Sequence, residues 1–309
     1  MLFRSGKTEN SQVGVFAALV RDRACALVDG ELFVPEHWFD DPQRCQEAGM
    51  PETLAFRTKG QIAMDLLLRL RREGLHYSHL VFDAGYGHLP WLLSDLDDEG
   101  ETFLAEIHAD QGIYLENPQP TVPERTAPRG KAPKTLQAQA QIQTVTAWAR
   151  AQPESAWRRL SVRAGEKGDV VAEYLTCRVF VWDGKAPQAR RWHLLVRREI
   201  GGKKLKFCFA NAKPQVSLRR LASMQADRHF VERAFEDAKS TCGMADYQAR
   251  GWQAWHHHMA LVMIALMFLA KERLAHRDIS ASMLTCHDLI DILRHKLPSK
   301  VKTDRKSVV

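Results

Sequence analysis

Apolar residues along the chain fall into short runs and helical stripes separated by polar breaks. Residues 11–19 and 24–34 are rich in Val, Leu, Ala and Phe and predict two strands. The polar Arg21-Asp22-Arg23 joins them, and Asp29-Gly30 predicts a further tight turn. Residues 58–72 predict an amphipathic helix with Ile62, Leu66, Leu67 and Leu70 facing inward. Leu80-Val81-Phe82 reads as a short buried strand ending at Asp83, residues 89–96 as a helix and residues 102–107 as another strand. Strands alternating with helices predict an α/β sheet.

Five prolines, at 118, 120, 123, 128 and 133, interrupt this pattern over residues 117–134 and predict a loop or linker. A helix is expected over 137–149. Residues 170–182, 190–198 and 205–210 predict antiparallel strands, with turns at Asp183-Gly184 and Gly201-Gly202. Helices follow over 218–239, 252–273 and 280–294. The expected organisation is a β-rich region set between two α/β halves, with no internal repeat.

A length of 309 residues allows one large domain or two smaller ones, and 45% hydrophobic content can fill a sizeable core. The net charge of +7 favours an anionic partner, most commonly nucleic acid. The charge is unevenly spread. Residues 91–118 hold eight acids and no Lys or Arg, whereas residues 185–220 hold eleven Lys or Arg and one acid, Glu199. The basic stretch is suited to phosphate contact through counterion release, and equally to solvated strand faces. The six cysteines, at 25, 45, 177, 208, 242 and 286, form no CxxC pair, which excludes a zinc ribbon and a disulfide scaffold and suits a reducing cytoplasm. The start, MLFRSGKTENSQ, has no apolar run of the kind a secretory signal needs. The longest apolar stretch, 259–270, has twelve residues where a membrane span needs about twenty.

Two places carry candidate chemistry. In Leu80-Val81-Phe82-Asp83-Ala84-Gly85-Tyr86-Gly87 an apolar strand delivers an aspartate at its carboxyl end, where α/β proteins hold ligands. Such an oxygen donor suits a hard cation like Mg²⁺, although a strand-end Asp is more often a cap. In residues 228–239, helical spacing sets Arg228, Glu232, Glu236 and Lys239 on one face and Phe230, Val231, Ala234 and Ala238 toward the other. Taken alone, that face is a solvated one with an Arg228–Glu232 ion pair. In His256-His257-His258, consecutive helical residues diverge by about 100°, so the three cannot share one ion. Trp252 and Trp255 read as core.

Together these residues resemble the DDE transposases of bacterial insertion sequences. The landmarks run in order: Asn10-Ser11-Gln12-Val13-Gly14-Val15; Val28-Asp29-Gly30-Glu31-Leu32-Phe33-Val34-Pro35 with Trp38; Asp83-Ala84-Gly85-Tyr86-Gly87; the 228–239 helix; then Gly243, Tyr247, Arg250, Trp252, Trp255, His257 and His258. The resemblance implies a ribonuclease H-like α/β core, incomplete at the N-terminus and interrupted by a β-rich insertion. The implied division is 1–109 for the first part of the core, 110–212 for linker and insertion, 213–275 for the helical part and 276–309 for a final helix and tail. It also implies that Asp83 and Glu232 are catalytic and hold Mg²⁺ or Mn²⁺. Arg228 and Lys239 become phosphate-contacting or accessory residues. The family's tyrosine three residues before the arginine is replaced here by Gln225.

In the family the first catalytic aspartate precedes the Asn10 segment, and here only nine residues do. Asp22, in the expected hairpin turn, and Asp29, in a different landmark, do not match it. The resemblance therefore implies a truncated, inactive polypeptide. Its implied partners are DNA, as element ends and target, and a second copy of the chain, with no membrane. Two other classes fit the residues: a non-catalytic DNA-binding remnant that interferes with transposition, and an unrelated metal-dependent nuclease.

Overall fold

The structure is a computed structural model that describes residues 12–22, 24–124, 133–165, 168–247, 250–275 and 286–296. Asn10, Ser11 and the first part of the expected 280–294 helix lie outside them. In chain order the elements are β1 (Val13–Arg21), β2 (Ala24–Phe33), α1 (Pro42–Glu47), α2 (Lys59–Arg72), β3 (Leu80–Phe82), α3 (Ala84–Gly87), α4 (Pro90–Asp98), β4 (Phe103–Ile107), β5 (Gly112–Ile113), β6 (Gln143–Thr144), α5 (Val145–Arg150), β7 (Arg158–Gly165), β8 (Gly168–Val181), β9 (Arg190–Glu199), β10 (Leu205–Ala210), α6 (Leu218–Ser240), α7 (Trp252–Ala275) and α8 (Cys286–Lys296). They divide into two compact units, one of residues 1–72 with 230–309, the other of residues 73–229.

In the first unit β1 and β2 form an antiparallel hairpin. Phe16 lies over this hairpin, edge-on to Phe235 of α6 at 5.8 Å and tilted against Trp255 of α7 at 6.0 Å. Leu27, Ala238, Val262 and Leu266 complete that core. The stripe on α2 is buried as its spacing requires, at Ile62, Leu66, Leu67 and Leu70. The expected Asp29-Gly30 turn is not formed, since both residues lie inside β2. Two forces overrule the local turn signal. Arg69 of α2 clamps the Asp29 carboxylate with bonds of 2.7 and 2.9 Å. A Cβ at position 30 would stand 2.4 Å from the Phe16 ring, so glycine is there to let that ring pack. Glu31, almost fully buried, is paired with Arg57, as a buried carboxylate requires.

In the second unit six strands form one mixed sheet in the order β3-β4-β10-β9-β8-β7. β3 and β4 run parallel, and β4 pairs antiparallel with β10. The β-rich stretch therefore continues the sheet that β3 and β4 begin. One face carries Leu104, Tyr174, Leu195, Cys208 and Ala210 against Leu221 and Met224 of α6. By alternation the neighbouring residues face the other way. There the rings of Phe103, Trp192 and Phe209 pack together, and the Trp192 indole donates to Asp97 of α4. Asn211 closes this end of the sheet. Its amide donates to Asp97 and to the Glu101 carbonyl, and its oxygen accepts from the Phe103 amide at 2.7 Å.

The helix expected over 137–149 is formed only at its end, as α5. Thr144 caps it by accepting from the Ala147 amide, and a Thr cap marks where a helix starts. Upstream, Gln137 exchanges backbone bonds with Thr121 instead. Among the described residues no helix is long and apolar enough to cross a membrane.

Candidate active site

Asp83 sits where β3 ends, with extended backbone, and caps the short α3 that follows. Its Oδ1 accepts from the Gly85 amide at 2.9 Å, and the side chain is exposed. Val81 packs into the core beneath α6, so alternation turns Asp83 toward that same face. Phe82 is in register with Ala105, which sets Glu106 of β4 next in line beside Asp83. The α3 turn lies directly on β4. A Cβ at Gly87 would stand 1.9 Å from the Glu106 carbonyl oxygen. Tyr86 packs on Phe82, and burial, reinforced by the negative Asp83, pushes its phenol up to about 12. It is a neutral hydrogen-bonding group at physiological pH.

Facing this strand end, Arg228 of α6 donates to the Glu106 carboxylate at 2.6 Å, with both side chains mostly buried. Charge-assisted bonds of this length are strong when shielded from water. Three residues earlier on α6, the Gln225 amide reaches the Cys208 sulfur at 3.2 Å, while its buried oxygen has no partner among the described residues. His79 is bound to Asp227 at 3.1 Å.

Glu232 follows Arg228 by one turn of the continuous helix, on the same helical face, and is exposed. Glu236 and Lys239 are also exposed, and Ala234 and Ala238 are buried, as the spacing predicts. Lys239 lies in the last turn, where a cation complements the helix dipole. Asp83 belongs to the second compact unit and Glu232 to the first. Among the described residues no three His, Cys, Asp or Glu side chains form a group suited to a metal ion.

Glu106 escaped sequence reasoning, although it is the one charged position in the otherwise apolar strand Phe103-Leu104-Ala105-Glu106-Ile107. The histidine run is explained structurally. His256 bonds the Trp252 carbonyl, His258 bonds the Gly243 carbonyl and stacks on Tyr247, and His257 is exposed. Trp255 is buried in the core. Asp29 is engaged by Arg69. Burial raises the thiols of Cys25, Cys177 and Cys208 to about 12, which removes them as nucleophiles.

Residues 3–169, more than half of the chain, match the DDE superfamily endonuclease family, and the chain belongs to that family. The match includes Asp83 and Glu106 and ends before α6. No curated protein sequence matches the chain. Membership implies a DNA substrate and divalent-metal chemistry. The donors at the strand end fit a hard cation. One Asp83 oxygen is held by a backbone amide, and the other has no partner among the described residues.

Proposed function

We propose that this chain is a transposase of the bacterial insertion-sequence type, with a ribonuclease H-like core interrupted by the β-rich stretch. In the intact family that chemistry cuts element ends and joins them to target DNA. Asp83 and Glu232 would hold Mg²⁺ or Mn²⁺, which when bound polarises the attacking hydroxyl and the leaving oxygen of an in-line phosphoryl transfer. One observation carries the reading. Asp83 ends β3 on the face that α6 covers, and beside it Glu106 is gripped by Arg228, one turn before Glu232.

In this reading the chain's own residues do distinct jobs. The Gly85 amide fixes the Asp83 carboxylate. The Glu106–Arg228 pair ties α6 to β4 within the second unit. Arg228 acts as an accessory anchor, and Lys239 remains for a phosphate oxygen. The protein would act in the cytoplasm on DNA, as a pair of copies on two ends.

The test is Mg²⁺- or Mn²⁺-dependent cleavage of DNA carrying the element's own ends. End-specific cutting lost in Asp83→Asn and Glu232→Gln without loss of folding would support the transposase reading and overturn the inactivity that the family resemblance implies. DNA binding without cleavage would favour a regulatory remnant. Cutting of any phosphodiester without end preference would favour a general nuclease.

A further inference from the structure

The basic stretch 185–220 sorts into two groups once its partners are known. Arg190 is neutralised by Asp97 and Asp98 at 2.8 and 2.7 Å. Arg197 pairs with Glu199, and Arg198 with Glu154 and Glu173. Arg191 and Lys213 have no carboxylate partner among the described residues, and neither has Arg178 on the neighbouring strand. These three line one open cavity of about 300 Å³, within the second unit, at the loop leading into α6.

The geometry holds like charges together. Arg178 on β8 and Arg191 on β9 project from the same face of the sheet, since Arg178 is in register with His193, two residues from Arg191. Arg178 spends its donors on the carbonyls of Arg191 and Ala212, at 2.6 and 3.5 Å. Lys213 follows Ala212 and is exposed. The charged side chains lining the cavity are Arg178, Arg190, Arg191 and Lys213 against Asp97 and Glu101, so four positive minus two negative leaves two positive. Asp97 is already engaged by Arg190, Trp192 and Asn211. Burial and the charge of Arg191 both lower the Arg178 guanidinium, a cost that a bound anion would offset.

We propose that Arg178, Arg191 and Lys213 form a seat for a phosphate of the DNA backbone. The assignment rests on the DNA-processing reading above. It separates these residues from Arg190, Arg197 and Arg198, whose charge is used within the fold.

The test measures binding of the full chain to a DNA duplex by fluorescence anisotropy between 50 and 200 mM KCl, with EDTA present so that no cleavage intervenes. Arg191→Ala and Lys213→Ala are combined. Arg178 is left in place because it also ties two backbone carbonyls. Each lost phosphate contact lowers the slope of log K against log salt by about 0.9, so the double variant, losing the one seated phosphate, should lose roughly three- to fourfold less affinity across this range than the parent. Arg150→Ala, an exposed cation on α5, removes charge elsewhere and should leave the slope unchanged. An unchanged slope in the double variant, or an equal drop in Arg150→Ala, would overturn the seat. In a second arm, pyrophosphate stabilising the parent but not the double variant, with an unmoved DNA slope, would assign the cavity to a small phosphate ligand instead. A reduced slope in a chain that never cuts DNA would keep the seat and remove the transposase reading. Cutting with an unmoved slope would do the reverse.

Discussion

Gly87→Ala should be far more damaging than Gly85→Ala, although the two glycines lie two residues apart in the same short helix. At position 87 the added carbon would stand 1.9 Å from the Glu106 carbonyl oxygen and 2.9 Å from its carbonyl carbon. Both are backbone atoms of β4, which is held between β3 and β10, and cannot swing away, so α3 must lift from β4 by more than an ångström. Overpacking of this kind costs about 1–3 kcal/mol, against a total stability of about 5–15 kcal/mol. At position 85 the added carbon would meet only the Asp83 Oδ1, at 2.9 Å. That oxygen can rotate, at the loss of a cap worth about 1 kcal/mol, and the helix gains about 0.5–1 kcal/mol from replacing glycine. Urea denaturation followed by circular dichroism should therefore show a lowered midpoint for Gly87→Ala and little change for Gly85→Ala. Mn²⁺ affinity should fall in both, because both disturb Asp83. Equal stability of the two variants would refute the proposed seating of α3 on β4.

Other consequences follow from single contacts. A double-mutant cycle on Arg228→Ala and Glu106→Gln should show a coupling of about 1–2 kcal/mol, since the pair is mostly buried, and additivity within about 0.5 kcal/mol would count against it. His193 is buried, its Nε2–H donating to the Lys213 carbonyl, and burial lowers its imidazole below the ordinary value. Because the fold favours the neutral ring, stability should be full above about pH 6.5 and decline as pH falls from there toward the depressed folded value. That decline should shrink in His193→Gln, measured as urea midpoint against pH. Asn211→Ala leaves the Phe103 amide without its acceptor and should cost about 1–3 kcal/mol, whereas Gln225→Met removes a buried oxygen that has no partner among the described residues and should be neutral or stabilising in thermal melts.

Local pattern captured the elements whose packing follows their own periodicity. The α2 stripe, the β9 and β10 strands and the long α6 all lie close to where spacing predicts them. Departures occur where a distant residue decides. Asp29-Gly30 has turn composition, yet the Phe16 ring and Arg69 hold it in a strand. Residues 137–142 have helix-forming Gln and Ala, yet Gln137 pairs with Thr121 across the proline-rich segment. The strand β7 was missed, although Leu160 and Val162 alternate with polar neighbours and pack into the α6 core. The acidic and basic runs were legible as separate stretches. Their mutual neutralisation, through Arg190 with Asp97 and Asp98, depends on the β9 and α4 placement and was not. Of the candidate site, Asp83 and the α6 face were visible in sequence, while Glu106 became significant only through its pairing with Arg228.

Convergence of residues 83 and 232 on one metal site is tested most directly by Fe²⁺ placed in the full chain with ascorbate and peroxide, because hydroxyl radicals cut the polypeptide near the bound ion. The account predicts cuts beside Asp83 and beside Glu232, both suppressed by Mg²⁺ and both lost in Asp83→Asn alone. Cutting near only one of the two, or cutting near Glu232 that survives Asp83→Asn, would contradict it.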